Sequence, residues 1–355
     1  MNLSRTPRIL VVRLSSIGDV VMATPVARVL RNHFPNAYIA WVVEPKSAEV
    51  IVGNPYLDET IVWSRMPSKS WLTGFCKTTK SLMDLIPVLQ SREFDIAIDL
   101  QGLMKSASIA YLSSAKERIG LANGRELSPL LYTRRLVEDV ELPRPLGYLS
   151  LLTPLGIESD DDELTILITR HDREVAETIY REQKLDPART VAFCPATSRA
   201  IKRWPNDHWA RLAEFLWREY GLSSVILGST ADISLAESIC HLSEVPVSIA
   251  AGRTSLMQSA AILEKCSAVV AVDTALLHIA VGLDKPSIGL FGPYRWQQLI
   301  RKPNFIWLAK DLPCSPCRNK PTCANIDCMQ AIRPSDVLQS LHPWINNNTS
   351  KKQVS

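Results

Sequence analysis

Residues 267–291 read SAVVAVDTALLHIAVGLDKPSIGLF. An apolar run rich in valine reaches Asp273 and Thr274 without a polar interruption. An apolar helical stretch follows, and then a second run, PSIGLF. A continuous apolar run of this length reads as a strand buried on both faces, and the helix after it returns the chain to a parallel neighbour. The stretch therefore predicts a strand, crossover helix, strand unit, and with it an α/β fold.

Outward from this unit the same alternation recurs. RILVVR, YIAWVV, ETIVW and FDIAIDL lie in the first half, and RTVAFC, SSVILG, VPVSIA, SAVVAV and PSIGLF in the second, with helical stretches between them. Between the two sets, LGIESDDDELTILI carries an acidic run, Glu158 to Glu163, that marks a linker. With 355 residues the chain exceeds the roughly 250–300 at which a single core stops growing. The expected organisation is two Rossmann-like doubly wound domains facing one cleft, over residues 1–165 and 166–345, with a disordered polar tail at 346–355. Ligands of such sheets sit beyond the carboxyl ends of the strands, so the motifs there carry the function. Neither G-x-G-x-x-G nor G-x-x-x-x-G-K-[ST] occurs, which argues against an ordinary dinucleotide site and a P-loop.

Composition narrows the class. The chain is 46% hydrophobic and 21% charged, as in globular proteins. The amino terminus lacks the apolar stretch of a secretory signal, and Asp273 and His278 interrupt the most apolar later segment, so a cytoplasmic protein is expected. The net charge is +4. The excess lies in residues 1–150, with 18 basic against 14 acidic side chains, and the rest is balanced at 22 each. That excludes a general nucleic-acid binder and suits an anionic substrate, an anionic membrane surface or simply a soluble surface.

Four strand ends carry candidate chemistry. After the first strand, RLSSIGD places Ser15, Ser16 and Gly18 before Asp19, the one acid at that hinge. Asp19 either caps the helix expected over 20–34 or faces the cleft. After RTVAFC come Thr197, Ser198, Lys202 and Arg203, hydroxyls and cations suited to a diphosphate, or else a solvated basic loop. Asp232 follows SSVILG and suits a ribose or a helix cap. In the opening stretch Asp273 or Thr274 caps the helix, the N–H groups of Thr274, Ala275 and Leu276 can hold a phosphate, and His278 is either structural or part of that site.

Near the carboxyl end CSPCRNKPTCANIDC gathers Cys314, Cys317, Cys323 and Cys328, read as a tetrahedral Zn or Fe site or as four unligated thiols. Cys76, Cys194, Cys240 and Cys266 read as core. Residues 64–92 mix Lys69, Lys77 and Lys80 with Trp71, Leu72 and Phe75, which suits either an anionic membrane face or an ordinary surface helix.

Together RLSSIGDVVMATPV, DLQGLMKSA, FCPATSRAIKRWPNDHWARL, GRTSLMQSAAIL and VDTALLHIAVGLDKPSIGLFGP resemble the ADP-heptose:lipopolysaccharide heptosyltransferases, glycosyltransferase family 9, from about residue 8 to about residue 340. The resemblance is shared between heptosyltransferases I and II. It implies the GT-B arrangement and an inverting transfer from ADP-heptose to Kdo-lipid A or a heptosylated core, at the inner-membrane surface and without a cofactor for the chemistry. By resemblance Asp19 is the catalytic base. Lys202 with Thr197 and Ser198 meets the diphosphate, helped by Thr274 and Ala275. Asp273 holds sugar hydroxyls, Asp232 the ribose, and Thr254 and His278 complete the donor side. On the acceptor side stand Ser16, Gly18, Lys105 and Arg125, with Arg13 and Lys46 added on charge and position. Ala275 departs from the family's usual glycine and brings a methyl group near the diphosphate. The rival readings are a nucleotide-sugar epimerase of similar architecture and a non-catalytic nucleotide-sugar-binding relative.

Overall fold

The computed structural model describes residues 6–64, 71–137, 139, 141–293, 302–315, 317, 323 and 326–349. The chain divides into two compact units, Met1–Leu167 and Ile168–Ser355.

In the first unit, β1 (Arg8–Val12), β2 (Tyr38–Val43), β3 (Glu59–Val62), β4 (Ile96–Asp99), β5 (Glu117–Leu121) and β6 (Arg134–Leu136) form one parallel sheet in the order β3-β2-β1-β4-β5-β6. Its helices are α1 (Ile17–Ala23), α2 (Pro25–His33), α3 (Pro45–Ala48), α4 (Trp71–Gln90), α5 (Met104–Leu112) and α6 (Arg144–Leu149). The strand order reverses direction between β1 and β4, which pair with Val12 opposite Asp99. A crevice opens at such a switch point because successive connections leave on opposite faces. Here it lies beside the RLSSIGD and DLQG loops.

The second unit repeats the plan. Its strands β7 (Thr190–Cys194), β8 (Ser223–Ile226), β9 (Val247–Ile249), β10 (Ala268–Val272), β11 (Ser287–Leu290) and β12 (Phe305–Leu308) are parallel in the order β12-β11-β10-β7-β8-β9. The helices are α7 (Arg170–Glu182), α8 (Asn206–Tyr220), α9 (Ile233–Leu242), α10 (Leu256–Lys265), α11 (Ala275–Gly282), α12 (Asp327–Gln330) and α13 (Pro334–Thr349). The switch point falls between β7 and β10, the strands that lead into the loop of Thr197 to Lys202 and into Asp273. Phe193, Trp204 and Trp209 pack together in the core of this unit, tilted and edge-to-face, with ring centroids 5.1 and 5.0 Å apart. Trp204 also donates its indole N–H to the Ile332 carbonyl at 2.9 Å. The loop carrying Lys202 is thereby pinned to the core.

Several expectations need revision. The helix expected over 20–34 is two helices, because Pro25 has no N–H to continue α1 and opens α2 instead. Strands β5, β6 and β12 were not among the runs read from sequence. Residues 346–349, expected in a disordered tail, belong to α13. The acidic linker is tied down: Asp161 receives Arg28 bidentately, at 2.5 and 2.9 Å. Cys194 and Cys266 are core, while Cys240 is half-buried. The side chains of Lys69, Trp71, Leu72, Phe75, Cys76 and Lys77 lie outside the described residues, and Lys80 is exposed.

Gly120 in β5 shows how tightly the first core is built. A Cβ there would stand 2.5 Å from the ring of Tyr132, which is 4% exposed and donates its hydroxyl to Asp99 at 2.6 Å. Gly120→Ala is expected to destabilise the protein by about 1–3 kcal/mol through overpacking. A lower denaturant midpoint at unchanged slope would show it.

Candidate active site

In the first unit the site grows from the end of β1. The chain turns at Leu14, whose N–H donates to the Gln101 side chain at 2.9 Å, and α1 begins after Ser16. Asp19 lies in the first turn of α1 and reaches back to Ser16: its Oδ2 accepts from the Ser16 hydroxyl at 2.8 Å and from the Ser16 N–H at 3.3 Å. The capping reading of Asp19 is thus fulfilled, and it does not exhaust the side chain. Oδ2 also receives Arg13 Nη2 at 2.8 Å, and Oδ1 accepts from the Tyr148 hydroxyl at 3.3 Å. Burial pushes this carboxyl up, but Arg13, Ser16 and Arg144 outweigh it, so the group sits below its ordinary value and is ionised at neutral pH.

Arg13, expected at the acceptor, is instead 7% exposed, with Nη1 on the Leu100 carbonyl at 2.7 Å and Nη2 on Asp19. In this structure it supports the carboxylate. Beneath it, fully buried Asp99 organises the loop after β4, accepting from Tyr132, from Ser106 at 2.7 Å and from the Gln101 and Gly102 N–H groups at 2.8 and 3.3 Å. Ser16 is exposed and Gly18 buried at the turn. Lys46 and Arg125 are exposed, whereas Lys105 is paired with Glu44 at 2.7 Å.

In the second unit the ends of β7 and β10 bring four predicted residues together. Lys202 Nζ meets Asp273 Oδ2 at 2.5 Å, His278 Nε2 lies 3.7 Å from Oδ1, and the Thr197 hydroxyl donates to the Asp273 carbonyl at 3.3 Å. Burial raises the Asp273 carboxyl, but His278 and Lys202 outweigh it and hold it far below the carboxylate range. Thr274 is the N-cap of α11 and Ala275 its first residue, while Ser198 is exposed on the loop. Two predicted donor residues are differently engaged. Asp232 accepts from Ser229 N–H at 2.8 Å and its hydroxyl at 2.6 Å, fulfilling the capping reading, and Thr254 pairs with the Ser259 hydroxyl at 2.8 Å.

The four clustered thiols lie close enough to interact: burial and then Cys323, with Cys317 and Cys314, push the Cys328 thiol up to about 11. Among the described residues, however, no group of three or more His, Cys, Asp or Glu side chains is arranged to hold a metal ion. Cys328 Sγ is packed against Gly292, where even a Cβ would approach it to 2.6 Å. The expected Zn or Fe centre is not supported by this arrangement.

Sequence reasoning missed Tyr148, Gln101 and the Asp99–Tyr132 pair. Their only trace was the polar DLQG turn after a buried strand, and nothing local marks Tyr148, 129 residues from Asp19 in the chain.

The switch point of the first unit thus holds an ionised carboxylate, and that of the second holds an ammonium, a hydroxyl and a helix amino end. The family model for glycosyltransferase family 9 (heptosyltransferase) matches residues 83–326. The chain is 29% identical over 339 residues to lipopolysaccharide heptosyltransferase 1 of Pseudomonas aeruginosa, covering 89% of this chain and 87% of that one. Among solved structures, the glycosyltransferase family 9 protein of Veillonella parvula superposes with a TM-score of 0.82 at 22% identity, over 96% and 97% of the two chains. The ADP-heptose lipopolysaccharide heptosyltransferase II of Escherichia coli gives 0.77 at 21%, over 96% and 99%. This chain belongs to glycosyltransferase family 9, the heptosyltransferase family.

Proposed function

We propose that the protein transfers a heptose from ADP-heptose to the inner core of lipopolysaccharide, onto Kdo of lipid A or onto a first heptose, by one inverting displacement. The observation that carries this reading is the ionised Asp19 carboxylate at the β1/β4 switch point, already held by Arg13 and Ser16. Family membership and the names of the relatives support the substrate pair.

In the step, an acceptor hydroxyl gives its proton to Asp19 as its oxygen bonds to C1 of the heptose. The bond from C1 to the β-phosphate oxygen breaks, and ADP leaves with that electron pair. The base supplies about 10² to 10⁴ in rate. The larger share falls to groups that stabilise the departing diphosphate, for which Lys202, Thr197 and the start of α11 at Thr274 and Ala275 are the assigned residues. No step is assigned to a metal. Lys105 and the exposed Arg125 and Lys46 are the basic groups for acceptor carboxylates and phosphates. The lipid-linked acceptor makes the protein a peripheral one at the cytoplasmic face of the inner membrane. No helix among the described residues is long and apolar enough to span it.

Purified protein is incubated with ADP-heptose and either Kdo-lipid A or a monoheptosylated core, and products are followed by mass. The expected result is one heptosyl residue gained by one of the two acceptors, with ADP released only when acceptor is present. Release of ADP without acceptor, or no transfer to either, would overturn the reading.

A further inference from the structure

Asp19 has two carboxylate oxygens in different surroundings. Oδ2 is enclosed by three donors: Arg13 Nη2, the Ser16 hydroxyl and the Ser16 N–H. Among the described residues Oδ1 has one hydrogen bond, a long one from the Tyr148 hydroxyl at 3.3 Å. A carboxylate so placed keeps its proton affinity on the less encumbered oxygen, because protonating Oδ2 would cost a charge-assisted hydrogen bond.

Arg13 is itself fixed from three directions. Its Nη1 donates to the Leu100 carbonyl, its guanidinium carbon lies 5.2 Å from the centroid of the Tyr148 ring, and the Leu100 loop is held by buried Asp99. Its Nε has no hydrogen-bond partner among the described residues. The side chain is oriented by its two terminal nitrogens, one anchored to the loop just after β4 and one aimed at the base. A buried arginine engaged in this way has no free fork to offer an acceptor carboxylate.

We propose that Arg13 is the positioning residue of the transfer reaction: anchored on the Leu100 carbonyl, it holds Asp19 Oδ2 and leaves Oδ1, beside the Tyr148 hydroxyl, as the oxygen that takes the acceptor's proton. The inference rests on Asp19 being the base and goes beyond it by assigning which oxygen acts and what fixes it. Arg144 on α6 also favours the ionised form of Asp19. The other ionisable groups on elements packed against α1 are Tyr148 on α6, Lys46 on α3, and Arg28, Arg31 and His33 on α2. Arg28 is taken by Asp161 and Arg31 by Asp58.

The test is the pH profile of kcat for Arg13→Met and Arg13→Gln, with Asp19→Asn alongside. Wild type is expected to show no acid limb from Asp19 above pH 5. Without the guanidinium that limb should rise by about one to three pH units. The plateau should fall by about ten- to a hundredfold as the carboxylate loosens, while KM for ADP-heptose stays near wild type. A carboxyl 13C NMR titration of Asp19 reads the same shift without turnover, and serves whichever neutral variant folds. A merely structural arginine would lower the plateau and leave the limb in place. A folded variant with an unmoved limb and an unmoved Asp19 titration would overturn the proposal. Asp19→Asn retaining full activity would instead overturn the assignment of the base.

Discussion

Asp19→Asn is expected to lower kcat by about 10²- to 10⁴-fold, the share a positioned general base contributes, with ADP-heptose affinity near that of wild type. Asparagine preserves the shape of the side chain and can still accept from Ser16, but it cannot take the acceptor's proton. The loss should therefore appear in the chemical step, in single-turnover as well as steady-state rates. The substitution also leaves buried Arg13 facing a neutral amide. Removing one partner from a fully buried pair costs about 3–5 kcal/mol; with 31% of the Asp19 side chain exposed, about 1–2 kcal/mol is the matching expectation. Folding lowers this carboxyl, so the wild-type protein gains stability from it above the ordinary value near 3.8 and loses that gain as pH falls through the folded value. Between pH 5 and 8 the stability difference between wild type and Asp19→Asn should then be constant, closing only under strong acid. Urea titrations at pH 5, 6.5 and 8 would check it, and a kcat unchanged by the substitution would remove Asp19 from the mechanism.

What the sequence revealed and what it hid follow from the range of the interactions. Both doubly wound sheets were legible because their central strands are fully buried and read as unbroken apolar runs: ILVV in β1, AVVAV in β10. The strands that escaped notice are short or flanked by charge. β6 is RRL, three residues at a sheet edge, where arginine remains solvated on a strand, and β5 opens on Glu117 and Arg118. The site divides in the same way. Residues that stand at a strand end within one motif, Asp19 and the Lys202, Asp273 and His278 group, carried a local signal. Arg13 was read as an acceptor contact because a charged residue one step past a strand looks available to ligands. Only the packing of β4 beneath it, with the Leu100 carbonyl in reach, shows that its guanidinium is taken. Asp232 and Thr254 had motif positions suited to the donor, yet their oxygens meet Ser229 and Ser259 first.

Lys202→Met and Asp273→Asn are expected to move ADP affinity in different directions, although each removes half of the same pair. Lys202 Nζ faces Asp273 Oδ2 at 2.5 Å, with 16% and 23% of the two side chains exposed. An incoming diphosphate must compete with that carboxylate for the ammonium. Removing the ammonium takes a charge-assisted bond from the ligand, which weakens ADP by about ten- to a hundredfold. Removing the carboxylate takes away that competitor for the ammonium, so ADP should bind at least as tightly as to wild type while heptosyl transfer falls, since the acid assigned to the sugar hydroxyls is gone. Stability responds alike in the two variants, because either leaves one member of a largely buried pair uncompensated, at about 1–3 kcal/mol. Calorimetric titration with ADP separates the two roles of Lys202. If both variants lose ADP affinity equally, the pair serves to shape the loop between β7 and α8. If Lys202→Met binds ADP as wild type does, the diphosphate is held elsewhere, at the start of α11 alone.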